Sequence, residues 1–234
     1  MSRHDGRTPQ EAREVQIQRR YLRTCPGSVL YRCGGTSVLV TAQITEEVPP
    51  FLEGKGTGWL TAEYAMLPGS TPTRKKRGPD GRSTEIQRLI GRSLRAVIDF
   101  HLLGPFTIHV DADVLEADGG TRTAAITAAY VAVVDALDAR FRDAALGVVK
   151  AQVAAISAGI IHGVPMLDLD YSEDSHADVD LNVVRLGPDG YVEVQGTGEG
   201  GVFRRPELTA MLDLAGKGID KLMEIQRDVL SGGD

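Results

Sequence analysis

The residues best suited to do chemistry fall in three short stretches. In EADGGTRTAA, residues 116–125, an alternating run breaks at Gly119-Gly120 and an alanine-rich stretch follows. A strand that ends on glycines and leads into a helix presents amide N–H groups with no partner inside the helix, and these attract an anion. Arg122 adds a permanent cation with a planar fork of donors, and Thr121 and Thr123 add hydroxyls. The stretch itself matches neither GxxxxGK[ST] nor GxGxxG, so it is not a P-loop or a dinucleotide fingerprint. Taken alone, the stretch reads more simply as a turn with threonine at a helix cap.

The second stretch is acidic: DLDYSEDSHADVDLN, residues 168–182. Asp178 and Asp180 would share one face of an extended segment, and a turn through Ser175-His176 would let Asp174 join them. Carboxylate oxygens suit a hard cation such as Mg²⁺, and one carboxyl could act as a general acid. A solvated acidic turn fits the same residues equally well. The third stretch, TPTRKKRGPDGR, residues 71–82, reads as a flexible basic loop. Arg74, Lys75, Lys76 and Arg77 would contact a phosphodiester backbone or simply face water.

Charge as a whole hides this arrangement. The 234 residues carry 26 Lys and Arg against 32 Asp and Glu, a net of −6 that would by itself argue against a nucleic-acid partner. Apolar residues at 42% and charged residues at 25% are ordinary for a globular protein. No run approaches the roughly 20 apolar residues of a membrane span, and the charged N-terminus does not read as a signal peptide, so the expectation is a cytoplasmic protein without membrane contact. Cys25 and Cys33 show no metal-ligand spacing and read as small residues of a hairpin. The five histidines are scattered, and no GxSxG is present to support a serine nucleophile.

These stretches need elements to position them. GSVLYRCGGTSVLVTAQI, from Gly27, predicts a hairpin around Gly34-Gly35, and Pro49-Pro50 ends the pairing. Residues 52–83 read as a long loop interrupted by the short strand WLTAEYAML. Apolar spacing predicts a helix over Thr84–Leu103, with Thr84 and Gln87 as a capping box and Arg88, Arg92 and Arg95 on its polar face. FTIHVDADVL, residues 106–115, alternates as a strand, and an alanine-rich helix over 121–141 should pack closely against a sheet. Four strands follow, VAAISAGIIHG, PMLDLDY, ADVDLNVVRL and YVEVQGTG, and an amphipathic helix closes the chain from Pro206 to Leu230. This order gives an α+β or mixed α/β architecture, a mixed sheet with packed helices, in a single domain over residues 1–234.

Six blocks in collinear order resemble the ribonuclease PH family: RHDGR at 3–7, GWLTAEYAMLP at 58–68, GRSTEIQRLIGRSLRA at 81–96, ADGGTRTA at 117–124, LDLDYSEDSHADVDLNVV at 167–184 and VEVQGTGE at 192–199. The resemblance covers nearly the whole chain. It implies a ribosomal-protein-S5 domain 2-like β-α-β-α fold and a phosphate-dependent 3′ exoribonuclease, related to polynucleotide phosphorylase and the exosome ring subunits. Such enzymes trim RNA, chiefly precursor tRNA, with inorganic phosphate as co-substrate, and assemble as a homo-hexamer, a trimer of dimers. The phosphate site would fall on Arg82, Gly120, Thr121 and Arg122. The carboxylate pair would fall on Asp174 and Asp180, binding Mg²⁺ and supplying the acid. RNA would lie on Arg74, Lys75, Lys76 and Arg77, with Arg88 and Arg92 extending the basic surface. A catalytically silent ring subunit and a hydrolytic metal-dependent nuclease are the alternatives.

Overall fold

The computed structural model describes residues 3–78, 80–142 and 147–232. Five strands form one sheet: β1 (Val15–Arg19), β2 (Gly27–Cys33), β3 (Thr36–Thr45), β4 (Trp59–Met66) and β5 (Thr107–Glu116), in the order β1-β2-β3-β5-β4. β4 and β5 run parallel, while the other neighbours are antiparallel, so the sheet is mixed. Parallel neighbours need a crossover, and α1 (Gly81–Val97) with the short α2 (Phe100–Leu103) supplies it. Adding α3 (Thr121–Phe141) after β5 completes a β-α-β-α unit.

A second, wholly antiparallel sheet has the order β7-β6-β8-β9, made from β6 (Val153–Ile161), β7 (Val164–Leu167), β8 (Val179–Leu186) and β9 (Gly190–Gly198). Between β7 and β8 lies the one-turn helix α4 (Tyr171–Asp174), and α5 (Arg205–Ser231) packs on β6 and β7.

α3 joins the two sheets. It packs on β2 and β3 on one side and β6 on the other, and from Thr121 to Leu137 all but Arg122 and Val134 are buried. Its alanines permit this, because small side chains let backbones approach. A Cβ on Gly27 of β2 would lie 2.7 Å from the Ala136 Cβ and 2.8 Å from the Ala132 carbonyl oxygen. The expected alternation of β5 holds, with Ile108, Val110, Ala112 and Val114 buried.

Three local expectations are corrected. The helix expected over 84–103 begins at Gly81, where the Asp80 side chain accepts a hydrogen bond from the Ser83 amide, so Asp80 and not Thr84 is the cap. It also stops at Val97: Asp99 turns the chain and caps α2 by accepting from the amides of His101 and Leu102. The strand expected over PMLDLDY ends at Leu167, because Asp168 adopts a φ of 51° and α4 starts at Tyr171.

Candidate active site

One cleft of about 900 Å³ gathers the chemistry read from the sequence. Arg82, Gly120, Thr121, Arg122, Asp174 and Asp180 all line it, with Arg74 and Lys75 at its edge. Arg82 stands on the first turn of α1, Arg122 on the first turn of α3, Asp174 on the last residue of α4 and Asp180 on β8. Residues nearly a hundred positions apart therefore meet in one site.

The two helix N-termini differ. The start of α1 is satisfied by Asp80, whereas α3 starts at Gly120 with φ 65° and no side chain caps it. Its first amides are left for a ligand, so α3 is the end that can cradle an anion. Thr121 is buried, and its hydroxyl pairs with the Tyr64 hydroxyl at 2.8 Å, which ties the turn to β4. The Thr123 hydroxyl donates to the Gly120 carbonyl at 2.9 Å.

Gly119 fixes how near the two halves of the site lie. Its φ is 75°, and a Cβ there would sit 2.5 Å from the Leu169 carbonyl oxygen and 2.8 Å from the Asp170 Cα. The glycine turn thus lies directly on the backbone of the acidic segment. Thr36 holds it there, donating to the Gly119 carbonyl at 2.7 Å and accepting from the Asp118 amide at 2.9 Å.

The acidic residues sort into two sets. Asp168, Asp170 and Glu173 are buried and face inward. Arg3 reaches Glu173 in a two-pronged pair, with Nε at 2.7 Å from Oε1, and also donates to the carbonyls of Leu167 and Asp168. Arg13 grips Asp168 through its backbone amide at 2.8 Å and its guanidinium at 2.7 and 2.9 Å. Burial alone would raise the Asp168 carboxyl, but these bonds and the charge of Arg13 hold it below its usual value. Asp170 and Glu173 form a capping box over α4, and His4 pairs with Asp170 at 2.6 Å. These inward residues form a frame, and α4 carries Asp174 on it.

Asp174 and Asp180 face the cleft. Burial raises Asp174 against the pull of Arg82 and Arg122. Burial and then the charge of Asp174 push Asp180 up to about 6, although Arg122 and the amide of Asn182, 3.1 Å away, act the other way. Arg122 therefore acts on both aspartates and Arg82 on Asp174, while the charge of Glu199 raises both carboxyls. Asp178, expected on the same face as Asp180, lies just before β8, exposed and outside the lining. Lys76 and Arg77 are exposed and also lie outside it, as do Arg88 and Arg92 on α1; Pro79 of the basic stretch is outside the described residues. Arg92 pairs with Glu193 of β9 at 2.7 Å, and Arg95 lies over the Trp59 ring at 5.0 Å.

Comparison with known proteins bears directly on this arrangement. Residues 11–137 match the 3′ exoribonuclease family, domain 1, and residues 151–218 match the same family's domain 2. Two ribonuclease PH proteins, from Synechococcus sp. strains JA-2-3B'a(2-13) and JA-3-3Ab, are each 52% identical over 237 aligned residues, covering 98% of this chain and 97% and 98% of theirs. The chain belongs to the ribonuclease PH family. Solved structures agree on the fold. Rice (Oryza sativa) Rrp46 superposes with a TM-score of 0.81 at 18% identity, over 98% of this chain and 100% of that one. The Archaeoglobus fulgidus exosome with RNA bound to its active site superposes with a TM-score of 0.79 at 24% identity, over 95% and 92%. The α+β architecture expected of a ribonuclease PH is thus the one observed. Among the described residues, no helix is long and apolar enough to cross a membrane.

Sequence reasoning left several residues of this ribonuclease PH site without a role. RHDGR entered only as a block of resemblance, yet Arg3 and Arg7 brace the acidic segment about 160 positions away. Glu85, Ser157, Asn182, Gln195, Thr197 and Glu199 also line the cleft. Alternation along β8 and β9 was the available signal, since Asp180 and Asn182 share a face and pair with Thr197 and Gln195.

Proposed function

We propose that the cleft shortens RNA from its 3′ end by phosphorolysis, and that Arg82, Arg122 and the uncapped amides of α3 hold the attacking phosphate. The observation carrying this reading is the meeting of those cations with Asp174 and Asp180 in a single cleft. An oxygen of inorganic phosphate attacks the terminal phosphodiester, forming a P–O–P link as the bond to the 3′ oxygen of the preceding nucleotide breaks. A nucleoside 5′-diphosphate leaves, and the shortened RNA takes a proton on its 3′ oxygen. Two anions approach only where cations offset their repulsion, which is the role of the arginines. Phosphate is already an anionic nucleophile at neutral pH, so no base is needed to activate water. The exchange is nearly balanced in energy, so the same site also runs backward, adding nucleotides from diphosphates.

The carboxylate pair fits Mg²⁺. Two oxygen-donor side chains sit close enough for Asp174 to raise Asp180, a repulsion that a hard cation relieves. Asp174 and Asp180 would hold the ion, which when bound neutralises charge on the scissile phosphate. Two carboxyls give the site both an oxygen ligand and a proton-bearing group. One carboxyl of the pair would supply the proton that the departing 3′ oxygen takes up.

The basic segment at the rim, Arg74 to Arg77, offers charge to the RNA backbone; Arg88 and Arg92 extend that surface outside the cleft. Because α3 is buried against both sheets, we take the chain as one domain. Family resemblance supports precursor tRNA as the substrate and a hexameric ring as the assembly, and light scattering tests the latter. The deciding experiment incubates a 3′-extended tRNA with Mg²⁺, with and without phosphate, and separates nucleoside mono- from diphosphates. Diphosphates formed only with phosphate are expected; monophosphates released in phosphate-free buffer would show a hydrolase, and no product in either would show a silent subunit.

A further inference from the structure

Gln195 lies on β9 opposite Asn182, and its side chain reaches α1 and the first turn of α3. Its Oε1 accepts from Arg122 Nη1 at 2.8 Å, and its Nε2 donates to Glu85 Oε1 at 3.0 Å. Glu85 is one turn along α1 from Arg82, and its carboxylate is 3.6 Å from the same Arg122 nitrogen. A carboxylate only accepts hydrogen bonds, so Glu85 requires the amide nitrogen of Gln195 on its side, which turns the carbonyl oxygen to Arg122. The three side chains form an ordered chain: Glu85 sets the amide, and the amide holds the guanidinium.

We propose that Gln195 is a positioning residue for the attacking phosphate. It engages one amino group of Arg122 and leaves the rest of the fork to the anion. Being neutral, it restrains the arginine without adding a second negative charge to that of Glu85 beside it. A guanidinium on a long stem otherwise loses rotamer freedom when the phosphate binds, a cost that Gln195 removes in advance. The inference rests on the assignment of Arg122 to the phosphate.

The test measures initial rates against phosphate and against RNA separately for the wild type, Gln195→Ala, Gln195→Glu and Glu85→Gln. Gln195→Ala should raise the KM for phosphate about 3- to 10-fold, the range for freeing one rotamer-rich side chain. At saturating phosphate its kcat, and its RNA affinity throughout, should stay within about twofold, a split that general loss of structure would not produce. Gln195→Glu should raise the phosphate KM more, since it sets a second carboxylate beside Arg122. Glu85→Gln lets the amide of Gln195 turn over but also removes a carboxylate 3.6 Å from Arg122, so it should raise the phosphate KM less than Gln195→Ala does. As an RNA-free measure, phosphate should raise the thermal midpoint of Gln195→Ala less than that of the wild type at equal concentration. An unchanged phosphate KM in Gln195→Ala, or a parallel fall in kcat and RNA affinity, overturns the inference. Wild-type turnover that does not saturate with phosphate would instead overturn the assignment beneath it, so the two failures are distinguishable.

Discussion

Replacing Gly119 with alanine tests the claim that the anion turn and the acidic segment are held in direct backbone contact. Two costs add. The residue has φ 75°, and a side chain in the left-handed region costs about 1–2 kcal/mol. The new Cβ would also fall 2.5 Å from the Leu169 carbonyl oxygen and 2.7 Å from the Asp170 carbonyl carbon, backbone atoms that cannot swing aside. Forcing a methyl into such a contact costs a further 1–3 kcal/mol or so. Together these give about 2–5 kcal/mol, and at roughly 2–4 °C per kcal/mol for a chain of this length the thermal midpoint should fall by about 4–20 °C. Gly120→Ala is the control: its φ is 65°, but its Cβ would meet side-chain atoms, the nearest being Arg13 Nη2 at 3.3 Å, so it should show little beyond the left-handed cost. Calorimetry gives the midpoints, and phosphate titration of the residual activity reports whether the site has opened. A Gly119→Ala protein as stable as the wild type, or less damaged than Gly120→Ala, would refute the close approach.

Three further outcomes follow from the site. Arg122→Ala should raise the phosphate KM by about 10- to 150-fold, the value of a hydrogen bond to a charged group at about 1.5–3 kcal/mol, while a filter-binding assay shows RNA affinity nearly intact. Asp180→Asn should abolish turnover yet stabilise the metal-free protein. Taking a carboxyl from 3.8 to about 6 costs about 3 kcal/mol once it is ionised, so the gain should be full above pH 7 and vanish below about pH 4, as unfolding in EDTA will show. Asp168→Asn breaks a buried pair with Arg13 and should cost about 3–5 kcal/mol near neutral pH. Because Asp168 is held below 3.8 in the folded chain, the stability it adds is present above that pH and lost as pH falls through the folded value, so the two proteins' urea midpoints should converge there.

Much of the fold was legible because its patterns are local. The alternation of residues 106–115, the two glycines after it and the alanine-rich run are each a signal confined to a few neighbours, and β5, the turn and α3 follow them. Where expectation and structure part, a polar side chain has overridden apolar spacing. Ile86, Leu89, Ile90, Leu94 and Val97 set a helical period that says nothing of where the helix stops, and Asp80 and Asp99, as caps, decide that. β1, with the alternating sequence VQIQR, carried a readable signal that its short length concealed.

The site divides in the same way, and the division explains why an acidic protein can hold two anions. Arg82, Arg122, Asp174 and Asp180 were nameable because they sit in short dense stretches. The arginines that make those stretches usable were not, because Arg3, Arg7 and Arg13 act across 155 positions or more. Had Asp168, Asp170 and Glu173 faced the cleft with Asp174 and Asp180, three more carboxylates would have opposed any phosphate that entered. Three inward-facing acids matched to the N-terminal arginines leave Asp174 and Asp180, with Glu85 and Glu199, lining the cleft beside Arg82 and Arg122. The number of negative charges in the cleft is thus set by residues remote from it, and the net charge of −6 was a poor guide because it counts paired and unpaired carboxylates alike.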